Sequence, residues 1–258
     1  MAGGAPVTRS RFHASDLVPE ATLAEWVRPL VAESVGAFAL VFVGAGSILA
    51  TGAFRLDGPG QIVAVALAHG LAFGVLLAAA GHLASGFYNP ALAIGLWVAG
   101  RLGGVRTAAC IVAQLAGAVV AALLLRYIFQ SEVSEQLRLG APAIAKAGEA
   151  AFIVGRARGF VTEAVLSFFL MYVVYGTAVV RRGPAGVAPF AIGLAVTMDI
   201  LMGGPLTGAA MNPARAFGPA LVANFWADHW IYWVAPILGA SAGAALFAYV
   251  MTPRDEEP

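Results

Sequence analysis

The chain has 258 residues, 60% of them hydrophobic and 11% charged, with a formal net charge of +1. Soluble domains carry about a quarter charged residues, so the composition is that of a membrane protein, and no basic footprint for nucleic acid is present. Cys110 is the single cysteine, which excludes an intramolecular disulfide and a multi-cysteine metal site. Lys146 is the only lysine beside fourteen arginines, a bias that points to a GC-rich bacterial genome and hence to a bacterial inner (plasma) membrane.

Residues 1–28 lack the continuous apolar core of a signal peptide and read as a polar, cytoplasmic tail with a short amphipathic segment at 23–30. A helix needs roughly 20 apolar residues to cross about 30 Å of hydrocarbon. Six stretches qualify: 29–50, 61–81, 104–127, 159–180, 187–204 and 229–251. Two further apolar pieces, 89–99 and 212–222, make only about 15 Å of helix each, half a membrane. Each begins with Asn-Pro-Ala: Asn89, Pro90 and Ala91 in the first, Asn212, Pro213 and Ala214 in the second. Asparagine is among the best N-cap residues, and proline suits the first helical position because its missing N–H costs nothing there. The spacing therefore predicts two half-length helices. Residues 129–158 form the connection between halves, and 252–258 a C-terminal tail.

The halves repeat. "AHGLAFG" at 68–74 matches "AIGLAVT" at 191–197, and "NPALAIG" at 89–95 matches "NPARAFG" at 212–218, both at an offset of 123. Glu33 in the first span answers Glu163 in the fourth at an offset of 130. Each repeat, 29–128 and 159–251, is three spans with one half-helix. Three full spans lie between the two Asn-Pro-Ala segments, an odd number, so the second enters from the opposite face. The fold class expected is an all-α integral membrane protein: six transmembrane helices plus two re-entrant half-helices in an inverted repeat, with the site at the midplane. With the N-terminus inside, cytoplasmic segments hold Arg9, Arg11, Arg28, Arg101, Arg106, Arg181, Arg182 and Arg254 against Arg55 in the short external loop, while the long central connection adds basic residues on the outside, so the positive-inside rule favours this topology only in part.

Each helix N-terminus carries about half a positive charge and several unpaired N–H donors. Two aimed at one point repel cations, hydronium included, and each asparagine amide NH₂ is expected to stay free to donate into a lumen. Such a site suits a neutral molecule with lone pairs. It offers no carboxylate relay for protons and no carbonyl ring for a metal ion. An arginine at a half-helix start, Arg215, is expensive in apolar surroundings and so reads as functional.

Two Asn-Pro-Ala motifs, six spans and the closing "HWIYWVAPILGASAG" resemble the aquaporin or major intrinsic protein family over residues 29–251. The resemblance implies a passive water channel, no cofactor or metal, no catalytic residue, and a homotetramer in the bilayer with one pore per subunit. It implies an outer constriction at His69 in "ALAHGL", Ile200 in "GLAVTMDI", and Ala209 and Arg215 in "TGAAMNPAR", and it casts Glu33 and Glu163 as braces for the re-entrant loops. The quartet His, Ile, Ala, Arg is most similar to the plant tonoplast subgroup, which implies water with ammonia, urea, hydrogen peroxide or glycerol as further neutral solutes. Departures from the family pattern are Phe87-Tyr88 before the first motif, where many members have histidine in place of Phe87, and Asp199, which has no obvious mate and is placed near the outer interface. The alternative is a secondary transporter of a small polar solute, since inverted repeats with half-helices also build carriers.

Overall fold

The computed structural model describes residues 23–56, 58–145, 154–180 and 183–252. The expected tails, most of them, and Arg9, Arg11, Lys146, Arg181, Arg182 and Arg254 lie outside the described residues. The described residues form nine α-helices: α1 (Leu23–Ala53), α2 (Gly58–Ala80), α3 (Pro90–Val98), α4 (Gly104–Ile128), α5 (Ser131–Gln136), α6 (Arg156–Val174), α7 (Ala188–Thr207), α8 (Pro213–Val222) and α9 (Ile231–Leu246). Six of them, α1, α2, α4, α6, α7 and α9, are long and apolar enough to cross a membrane, with α6 and α9 each extended by a wider π-turn at the C-terminal end. The half-helices α3 and α8 occupy the two places expected of them.

The first helix begins earlier than the hydropathy implies. The segment at 23–30 is not a separate element but the start of α1, which runs through Pro29. Proline has no N–H to give to the carbonyl four residues back, which here belongs to Glu25. Arg106 supplies a donor instead, Nη2 to the Glu25 carbonyl at 3.1 Å, and stacks its guanidinium over Trp26. The connection between the halves is also more ordered than a plain loop, since it contains α5 and folds Leu139 into the core.

The repeats are visible in the packing. Helix α1 lies on α4, α6 lies on α9 in the same manner, and α2 meets α7 across the pseudo-two-fold. These approaches are close because glycine sits at the crossings. A methyl at Gly117 would overlap the Ser34 carbonyl, and one at the equivalent Gly239 would overlap that of Ala164. In lipid, helix association relies on such close van der Waals contact, because burial gains little from hydrocarbon.

Candidate functional site

The turns that precede the half-helices carry the strain. Phe87 (φ 53°) and Tyr88 (φ 58°), like Ala209 (φ 43°) and Met211 (φ 51°), are non-glycine residues in left-handed backbone. Such a residue costs about 1–3 kcal/mol and persists only where its surroundings fix it. A buried carboxylate does so on each side. Glu33 accepts the N–H of Ser85 at 2.7 Å, of Tyr88 at 2.8 Å, and of Gly86. Glu163 accepts Ala210 N–H at 3.0 Å, Met211 N–H at 2.8 Å and the Thr207 hydroxyl at 2.6 Å. Both carboxylates are fully buried.

The turns deliver two asparagines to the middle of the molecule in nearly the same conformation: Asn89 at φ −147°, ψ 116° and Asn212 at φ −144°, ψ 109°. Each side-chain Oδ1 caps its own half-helix, Asn89 from Ala91 N–H at 2.9 Å and Asn212 from Ala214 N–H at 2.9 Å and Arg215 N–H at 3.2 Å. The amides are not wholly free, contrary to the expectation above. Asn89 Nδ2 donates to the Met211 carbonyl at 2.9 Å, and Asn212 Nδ2 to the Tyr88 carbonyl at 3.0 Å. The two half-helices are thus stitched together across the pseudo-two-fold, which leaves one N–H on each amide for another acceptor. Pro90, Ala91, Pro213 and Ala214 form the buried first turns behind them.

His69, Ile200 and the pair Ala209 and Arg215 come from three separate stretches and meet around one cavity of about 10 Å³, which also touches Asn89 and Asn212. That is room for about one water-sized sphere. Leu40, Phe73, Leu170 and Val196 supply apolar walls. Arg215 is 2% exposed. Its Nη1 donates to the Gly140 carbonyl at 2.9 Å and its Nε to His69 Nε2 at 3.3 Å. His69 Nδ1 lies 2.8 Å from the Val65 carbonyl. A carbonyl only accepts, so Nδ1 carries the proton and Nε2 offers its lone pair to the arginine. The guanidinium is thereby fixed from two sides and keeps its remaining N–H donors for the cavity.

Sequence reasoning missed several members of this arrangement. Gln114 donates to Glu33 at 2.6 Å; as a lone amide in an apolar span it was a signal that could have been used. Gly140 holds Arg215 through a backbone carbonyl, which no side chain announces. The Tyr232 hydroxyl donates to the Thr207 carbonyl at 2.8 Å. The buried Tyr88 ring fills the space left by Gly36, and its hydroxyl donates to the Leu76 carbonyl at 3.1 Å. Phe87 instead lines an inner cavity of about 340 Å³ with His82 and Ile192. Asp199 is 1% exposed within α7, with Oδ2 lacking a partner among the described residues; nothing in the packing explains it. Among the described residues no group of three or more His, Cys, Asp or Glu is placed to hold a metal ion.

Comparison with known proteins places the chain in a family. A family model described as Major intrinsic protein matches residues 20–247. The chain is 42% identical over 244 residues to aquaporin TIP4-4 of Zea mays, covering 93% of each chain. It is 37% identical over 238 residues to aquaporin TIP4-2 of the same plant, covering 90% of this chain and 88% of that one. The X-ray structure of the aquaglyceroporin from Plasmodium falciparum superimposes with a TM-score of 0.75 at 20% identity, over 88% of this chain and 97% of that one. At such identity the likeness speaks to the fold.

Proposed function

The chain belongs to the major intrinsic protein family and is a multi-pass membrane channel, not an enzyme; from that premise we propose that water is its principal solute, with protons and ions excluded. Family membership weighs against the carrier alternative. The observation that carries the reading is the single cavity in which Arg215, His69 and both asparagines meet. In this reading Asn89 and Asn212 donate to passing oxygens at the midplane, while the half-helix N-termini oppose cations. His69, Ile200, Ala209 and Arg215 form the constriction, with Ile200 and Ala209 as its apolar side. Glu33 and Glu163 hold the re-entrant loops in register. A cavity of about 10 Å³ supports water first, then solutes of similar size such as ammonia or hydrogen peroxide, with urea and glycerol requiring the walls to part.

The division into repeats 29–128 and 159–251, with both termini cytoplasmic, is part of the same proposal. So is a homotetramer, which rests on membership of the family. A bacterial plasma membrane is proposed on the arginine bias alone; the relatives named above are from plants. The test is stopped-flow osmotic shrinkage of proteoliposomes against empty liposomes. Fast shrinkage with a low activation energy is expected, and rates equal to those of empty liposomes would remove water as the solute.

A further inference from the structure

The face opposite the N-terminal end of α1 carries a cavity of about 400 Å³ that the pore does not use. It lies between the end of α4, the short helix α5 and the chain leaving α8. Its lining holds both signs of charge, with Arg126 and Arg138 as cations and Glu135 as an anion. Arg126 spends one donor, Nη1 to the Val222 carbonyl at 3.2 Å. Arg138 has its guanidinium carbon 4.5 Å from the Phe225 ring centroid. Stacking of this kind leaves the in-plane N–H donors facing outward. None of them meets an acceptor among the described residues. Asn224 Oδ1 takes the Trp226 indole N–H at 3.0 Å, so its Nδ2 is the end left to donate.

The position of the cavity identifies the milieu of its ligand. Arg126 is in the last turn of α4, whose outward side just beneath it is apolar: Leu123 is 53% exposed and Val120 55%. That surface faces acyl chains, and an arginine at its end sits at headgroup depth. The charge pattern narrows the headgroup. Two guanidiniums with free donors suit a phosphate. Glu135 suits a group that donates hydrogen bonds and carries positive charge. A purely anionic headgroup leaves that half of the lining opposed, and a quaternary ammonium cannot donate to Glu135.

We propose that this cavity seats the headgroup of a phospholipid bearing both a phosphate and a primary ammonium. The phosphate lies between Arg126 and Arg138, the ammonium against Glu135, and an acyl chain runs down α4 past Leu123. The site is independent of the pore reading. Its test is native mass spectrometry of the full-length protein released from vesicles holding equal parts phosphatidylethanolamine, phosphatidylcholine and phosphatidylglycerol. Phosphatidylethanolamine is expected to be retained over either competitor by about tenfold, the scale of one charge-assisted hydrogen bond. Glu135→Gln, on an exposed surface helix, should abolish its advantage over phosphatidylcholine. Arg138→Gln should reduce retention of all three. Equal retention, preference for phosphatidylglycerol, or indifference to both substitutions would overturn the proposal and leave the arginines as loop fasteners. Competition by chain-free phosphoethanolamine as strong as by the lipid would also overturn it, in favour of a soluble ligand.

Discussion

Arg215 shows how much one side chain depends on its neighbours. A guanidinium 2% exposed is sustained by the Gly140 carbonyl and the His69 ring. It sits at the start of α8, where a helix dipole alone would repel it. Its value there is a fixed positive charge beside the cavity of about 10 Å³. Arg215→Val is expected to admit cations or larger solutes, read as conductance and solute uptake in proteoliposomes; selectivity identical to the parent would remove its assigned role. Cys110 makes the opposite case. It is fully buried on α4 and touches neither the constriction nor the inner cavity. Mercurials should therefore slow water flow weakly, and strong block relieved by Cys110→Ser would place that thiol in the conduit.

At the scale of elements, the half-helices are held by side chains from spans distant in sequence. Removing the Glu163 carboxylate leaves the Ala210 and Met211 N–H groups without their acceptor and the Thr207 hydroxyl with only the longer bond to the Gly203 carbonyl at 3.4 Å, at about 1–3 kcal/mol for each buried donor stranded. Glu163→Ala is expected to lower the thermal midpoint in detergent and the water permeability together, and Glu163→Gln, which keeps one accepting oxygen, to lower both less. The outer end of α8 is covered by an aromatic cluster in which His229 packs against Phe217, Trp226 and Tyr232. Its Nε2 accepts the Trp233 indole N–H at 3.1 Å, which only a neutral ring can do. Burial holds its pKa below the ordinary histidine value. A base depressed in the folded state contributes stability above its unfolded pKa of about 6.5 and loses it as pH falls below that. Thermal stability should decline from about pH 6.5 downward, and His229→Phe should flatten that decline; a slope unchanged in the variant would assign it to other groups.

The whole molecule is two three-span units facing each other across α2 and α7, with polar residues gathered along the line where they meet. Its compactness rests on crossings such as Gly117 against Ser34. Gly117→Val would overpack that crossing at about 1–3 kcal/mol, seen as a lower midpoint with pore chemistry unchanged; a stability equal to the parent's would mean that α1 and α4 can part freely. What the amino-acid sequence determined by itself was whatever has a period or a cap. Apolar length set six spans, Asn-Pro-Ala set the two half-helix starts, and the three spans counted between them set their inverted relation. These signals are local, because hydrocarbon demands length and a helix end demands a donor or acceptor within a few residues. Only the tertiary structure decided the rest. The asparagine amides turned out to bond each other's loops, Gly140 to hold the arginine, Gln114 to join Glu33, and Asp199 to be buried. Those pairings span from 75 to 122 residues or more of chain, and a carbonyl that serves as acceptor leaves no trace in residue type. Partner choice at such range is settled when the spans pack, and no local pattern encodes it.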